Sequence, residues 1–216
     1  MANEKKKIDS KFIVQLSLII VLGGLLLFIL WKPSSSNTSF ASVSASEIMP
    51  TGVPAIYGSE LKVSYSDVSS SNPSLADSTI RKLGQIDVSE TLTGSDLQRY
   101  INILYVMENG ISCEYCCGAR SIIFENGEPA CGCAHSYAMR GLAKYLIKFH
   151  GSEFTDEEIL SEVGKWKVLF FPGIHEGKAQ VLEANGIDST NYINLASNKY
   201  RGIEQGQASG AMVGGC

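Results

Sequence analysis

Five of the six cysteines in this 216-residue chain lie, with one histidine, in a single 23-residue window. The window holds two groups, Cys113-Glu-Tyr-Cys116-Cys117 and Cys131-Gly-Cys133-Ala-His135. Thiols at this density are rarely core filler, and they indicate disulfide bonds, a soft metal site or redox chemistry. The sixth cysteine, Cys216, follows two glycines and adds another thiol for the same chemistry.

A metal site is the first hypothesis for these residues. A Cys-x-x-Cys group lets two thiolates occupy adjacent corners of a tetrahedron, and a second pair can complete it. Zinc fits such a ligand set, and copper(I), a soft ion, fits a site with surplus thiolates. Zinc is the first choice and copper the second. The candidate metal ligands are Cys113, Cys116, Cys117, Cys131, Cys133, His135 and Cys216.

Two other chemistries stay open. In an oxidising compartment the six cysteines can pair with one another, giving a disulfide-stapled surface protein without enzymatic activity. A reactive dithiol, Cys113 with Cys116 or Cys116 with Cys117, would instead make the chain a thiol–disulfide redox protein. The sequence contains no nucleophile elbow, P-loop or dinucleotide fingerprint, so no other catalytic class is indicated.

The second cysteine group resembles a known motif. The segment Pro129-Ala-Cys131-Gly-Cys133-Ala-His135, followed by a helical pattern and then by residues 155–163, resembles the PCYCGC-motif lipoproteins, small extracytoplasmic proteins of bacteria. The chain has Pro-Ala-Cys in the first half of the motif, and a transmembrane anchor where that family has a lipidated cysteine. The resemblance implies metal binding at Cys131, Cys133 and His135.

Residues 12–31 form an uncharged apolar run long enough for one helical membrane crossing. Four lysines precede the run and one follows it, which predicts a cytoplasmic N-terminus and an extracytoplasmic remainder. The run is longer than the apolar core of a cleavable signal peptide, so we interpret it as an uncleaved anchor in the cell membrane.

The charge of the chain restricts its partners. The residues after Pro33 include 13 basic and 20 acidic side chains. This acidic balance argues against nucleic acid as a partner. The predicted partners are therefore the membrane and a metal ion, with room for a protein partner at the membrane surface.

Helices are predicted on both sides of the cysteine window. One begins at a capping box at Ser95 and ends at Asn109-Gly110, and another begins at the capping box of residues 155–158. Between them, a helix from about His135 to Phe149 has a polar face. That face consists of Arg140, Lys144 and Lys148.

Two further elements are predicted. Residues 120–128 indicate a β-hairpin with an Asn-Gly turn, which would bring the two cysteine groups together. Upstream of the cysteines, residues 74–83 indicate only a short helix.

The predicted fold class is mainly α, with a single N-terminal transmembrane helix, a flexible stalk and a small helical ectodomain that carries a cysteine-rich β-hairpin. The predicted function is that of a membrane-anchored extracytoplasmic metal-binding protein. The predicted segments are a cytoplasmic tail 1–11, the transmembrane helix 12–31, a Ser-rich stalk 32–49, a segment of short elements 50–92, a helical Cys-rich metal-binding domain 93–186, and a flexible tail 187–216 ending in Cys.

Overall fold

The computed structural model describes Gln15 and residues 21–23, 44–206, 210 and 212–215. Residues Phe40–Cys216 form one compact unit, and Met1–Ser39 form another. The predicted transmembrane helix is not found, because no helix within the described residues is long and apolar enough to cross a membrane. Most of its predicted span, and residues 32–43 of the predicted stalk, lie outside the described residues.

The unit of residues 40–216 is built from helices joined by turns and by one long loop, residues 110–133, which contains the five window cysteines. The described helices are, in chain order, α1 Ala45–Ile48, α2 Gly58–Leu61, α3 Pro73–Ser89, α4 Gly94–Ile101, α5 Ala134–His150, α6 Asp156–Phe170, α7 Pro172–Ala184 and α8 Tyr192–Ala196. A π-helical turn and a 3-10 turn extend α4 as far as Asn109. The predicted stop at Asn109-Gly110 therefore marks the true end of this helical run.

The capping box predicted at Thr155 is confirmed. The Glu158 amide donates to the Thr155 hydroxyl oxygen at 3.2 Å, and the Thr155 amide donates to the Glu158 carboxylate at 2.7 Å. Helix α6 ends at Phe170, and Pro172 then begins α7, where a missing amide hydrogen costs nothing.

The packing of α3 against α5 organises the core. Ile80 and Leu83 of α3 and Leu142 of α5 are at most 2% exposed. At Gly141 the two backbones approach so closely that an added Cβ would overlap the Leu83 carbonyl oxygen. Helix α3 extends to Ser89, beyond the predicted end at residue 83, because its later residues also pack on α5.

The predicted β-hairpin between the cysteine groups is wrong. The described residues contain no β-strand, and the extended pairing near this turn is a single antiparallel bridge between Ile123 and Pro129. The Asn-Gly turn itself forms, since Gly127 adopts a φ of +87°. The Ile122 amide donates to the Ile111 carbonyl at 2.9 Å and not back to Ala130, so the ladder stops after one bridge.

The described part of the predicted C-terminal tail, 187–216, belongs to the packed unit. Leu195 and Ala196 of α8 are fully buried. Asn198 donates from its side-chain amide to the carbonyls of Asn109 at 2.9 Å and Arg120 at 2.7 Å. The polar residues of this segment predict flexibility, but here a polar side chain forms hydrogen bonds to backbone carbonyls on either side of the first cysteine group.

Candidate metal centre

The five window cysteines meet at the N-terminal end of α5. Cys113, Cys116 and Cys117 lie in the loop that follows the α4 run, and Cys131 and Cys133 lie directly before α5. The Cys113 and Cys133 sulfurs are 3.2 Å apart, and the Cys131 and Cys133 sulfurs are 3.6 Å apart. The two sequence groups therefore converge without the predicted hairpin.

Three of these sulfurs form a group that could hold a metal ion. The Sγ atoms of Cys113, Cys116 and Cys133 all lie within 4.8 Å of one another. Cys113 is buried, Cys133 is partly exposed and Cys116 is exposed. The group thus has an anchored inner side and an outer side that solvent can reach.

The other two window cysteines form a disulfide bond, Cys117–Cys131. This bond connects the loop of the first group to the segment that leads into α5. The predicted ligands therefore divide into three sulfurs that can bind an ion and two sulfurs that are joined to each other.

Cys133 occupies a position that stabilises a thiolate. It is the N-cap residue of α5, and the Ser136 amide donates to its sulfur at 3.4 Å. The Cys113 side chain contributes most to lowering the pKa of Cys133 to about 3, and His135 and Ser136 lower it further against the opposing effect of partial burial. The positive end of the helix dipole acts in the same direction.

We expect the Cys133 thiolate to persist in mild acid. At about pH 5, above its pKa of about 3 and well below the usual pKa of a thiol near 8.5, this group should remain ionised. The ultraviolet absorbance of the thiolate should therefore survive a titration from neutral pH to about pH 5, and Cys133→Ser should remove it. Circular dichroism over the same range checks that the chain stays folded. Loss of the wild-type signal above about pH 6 would contradict this pKa direction.

His135, a predicted ligand, supports Cys133 from inside the core. Its Nε2 lies 2.8 Å from the Val213 carbonyl oxygen, and its side chain also hydrogen-bonds to Cys133. The ring packs on Phe170 and Phe171, with centroids 4.7 and 5.0 Å away. His135 is fully buried, and it is not part of the three-sulfur group.

Cys216, the remaining predicted ligand, lies outside the described residues. The residues before it dock close to His135. The Val213 amide donates to the Phe170 carbonyl at 2.9 Å, and the Gly215 amide donates to Asp77 at 3.1 Å. The described end of the chain thus docks against His135 of α5 and Asp77 of α3.

A buried ion pair holds the loop of the first group. Glu114 has a positive φ of 48°, and its carboxylate accepts from Lys167 at 3.2 Å and from the Gly202 amide at 2.9 Å. Burial lowers the pKa of Lys167 to about 8, although Glu114 opposes this. Burial raises the pKa of Glu114, but Lys167 and Lys178 outweigh it and the net direction is downward.

The sequence does not predict the burial of two cationic side chains near the cysteines, Lys167 and Arg140. Lys167 stands between Trp166 and Val168 and interrupts the apolar end of its helix, while Arg140 falls on the predicted polar face of α5. Both are fully buried. The interruption of an apolar run at Lys167 is the one local signal that could have indicated a buried pair.

Comparisons with protein-family models, with curated proteins and with solved structures find no match to this chain. The resemblance to the PCYCGC-motif family therefore stays a prediction from its residues.

Proposed function

We propose that the protein binds one copper(I) ion through the thiolates of Cys113, Cys116 and Cys133. The observation that carries the proposal is the position of their three sulfur atoms, all within 4.8 Å of one another. Thiolates from the two ends of one long loop meet at one point, and an ion at that point would join them.

The kind and number of donors favour copper(I) over zinc. Copper(I) is a soft ion that accepts two or three thiolates in linear or trigonal geometry. Structural zinc sites are almost always closed by four ligands. The donor group in the described residues has three sulfurs, and Cys131, the next sulfur, is engaged in the disulfide.

Electrostatics support thiolates at this position. The N-terminal end of α5 faces Cys133, and the buried Lys167 ammonium interacts electrostatically with Cys113. Both stabilise the negative charge that three thiolates retain around a monovalent ion. A metal ligand must be deprotonated, so the low pKa of Cys133 reduces the proton cost of binding.

We also propose an extracytoplasmic location. The Cys117–Cys131 bond supports the location, because disulfides persist in oxidising compartments.

The test is a copper(I) titration with the disulfide intact. Ascorbate keeps copper reduced without opening disulfides, a chromophoric chelator competes for the ion, and intact mass verifies the Cys117–Cys131 bond. We expect one bound ion, and X-ray absorption should detect three sulfur neighbours. Cys116→Ser, a change at an exposed position, should reduce that sulfur count by one. The proposal is rejected if the wild type binds copper(I) no more strongly than Cys116→Ser does. It is also rejected if X-ray absorption shows that the ligands of the copper ion are nitrogen and oxygen atoms.

Thiol–disulfide exchange is a second candidate, favoured by one contact. The Cys133 sulfur, whose pKa is low, lies 3.6 Å from the Cys131 sulfur of the disulfide. A thiolate beside a disulfide is the arrangement that exchange requires. Metal-free protein that catalyses oxidation of a dithiol peptide, and loses this activity in Cys133→Ser, would support this candidate in place of metal binding.

A further inference from the structure

We infer that the Cys117–Cys131 disulfide determines which ion the site accepts. With the disulfide closed, the three-thiolate group binds copper(I). With it reduced, Cys131 joins the group, and a four-thiolate zinc site forms. This inference rests on the proposed metal binding by Cys113, Cys116 and Cys133, and it concerns the regulation of that same site.

Cys131 already stands at the spacing of a metal ligand. Its sulfur lies 3.6 Å from that of Cys133. A zinc ion with four sulfurs at about 2.3 Å places those sulfurs about 3.8 Å apart. Cys131 is therefore already at ligand spacing from Cys133, and breaking its bond to Cys117 would free its sulfur to complete the group.

The surroundings of the two half-cystines differ in the way that this switch requires. Cys117 is exposed and precedes Gly118, which has open space around it. Cys131 is 5% exposed, and its carbonyl accepts from Arg140 at 2.8 Å. After reduction, Cys117 can turn towards solvent while Cys131 stays beside Cys133.

The chemical step is an ordinary exchange with an external dithiol. One thiolate of the dithiol attacks the exposed Cys117 sulfur, the Cys117–Cys131 bond breaks, and its electron pair leaves on Cys131. The second thiol of the reductant, losing its proton, then attacks the mixed disulfide and releases Cys117. The reductant becomes a disulfide, the protein gains two electrons, and the Cys131 thiolate is released within reach of the ion.

Two matched variants separate this switch from a general effect of losing the disulfide. Cys117→Ser and Cys131→Ser both lack the bond, but only Cys117→Ser keeps the sulfur that faces the site. We expect Cys117→Ser to bind zinc without any reductant, with four sulfurs in its X-ray absorption spectrum. We expect Cys131→Ser to bind zinc at least about 100-fold more weakly, since loss of even an outer-shell partner can cost that much.

Wild-type protein should gain the same factor in zinc affinity when a dithiol opens the disulfide, as measured by competition with a zinc chelator after the reductant is removed under anaerobic conditions. Circular dichroism verifies that both variants are folded. Equal zinc affinity in the two variants, or no gain in zinc affinity when the wild-type protein is reduced, overturns the inference. In either case, copper(I) binding by the oxidised protein would leave the proposed function intact. Absence of copper(I) binding by the oxidised protein overturns both.

Discussion

We expect the Cys133→Ser variant to bind copper(I) at least about 100-fold more weakly than the wild-type protein. Cys133 is the central sulfur of the cluster, 3.2 Å from Cys113 and 3.6 Å from Cys131. Its replacement substitutes a hard, protonated hydroxyl for a soft thiolate that the protein keeps ionised. Competition with a chromophoric copper(I) chelator measures the loss.

The substitution is well suited to this test because serine is itself a favourable N-cap residue. Helix α5 should therefore still begin at Ala134, and the melting temperature should change little. Ser136→Ala is the matched control, since it removes a neighbouring hydroxyl and retains the sulfur. It should weaken binding by about 10-fold, as expected for an outer-shell partner. Unchanged affinity in Cys133→Ser would exclude Cys133 as a ligand.

We expect the Asp87→Ala variant to lose about 3–5 kcal/mol of unfolding free energy, the usual cost of leaving a buried charge without its partner. Arg140 is fully buried and donates from Nε to Asp87 at 2.7 Å. The Lys144 ammonium lies 2.8 Å from the other carboxylate oxygen of Asp87 and donates to the Asp87 backbone carbonyl at 2.7 Å. Urea denaturation at neutral pH measures the loss.

Arg81→Ala is the control on the same helix. Arg81 and Asp77 are exposed and 4.0 Å apart, and an exposed pair contributes only about 0–1 kcal/mol. The double variant Asp87→Leu with Arg140→Met should be more stable than Asp87→Ala, because it leaves no unpaired charge in the core. Equal stabilities for Asp87→Ala and Arg81→Ala would show that the buried pair contributes little.

The same ion pair connects stability to the candidate metal centre. Arg140 also donates to the carbonyls of Ile122 at 3.2 Å and Cys131 at 2.8 Å, which are buried backbone groups on the approach to α5. We therefore expect the folded fraction of Asp87→Ala to bind copper(I) more weakly than the wild type, since Cys131 and Cys133 lose part of their support.

Local signals in the sequence were sufficient for several helix ends and for the region where the cysteines gather. They were wrong for the start of α4, which follows the N-cap Thr93 and not a capping box at Ser95, and for the end of α3, which is Ser89. The capping box at Thr155, the end of the α4 run at Asn109-Gly110 and the α5 helix involve residues only a few positions apart, so neighbouring residues decide them. The cysteine window was predicted as the reactive region, and its sulfurs do meet at the start of α5.

The division of those sulfurs into a three-sulfur group and a disulfide was decided by tertiary structure. The distances of 3.2 and 3.6 Å from the Cys133 sulfur to those of Cys113 and Cys131 depend on how the two ends of one loop are held. Distant residues such as Asn198 and Lys167 hold its first end. The predicted polar face of α5 was misleading at Arg140 for the same reason. Helix α3 covers that face. Arg140, which the helical periodicity places in solvent, is therefore buried and paired with Asp87.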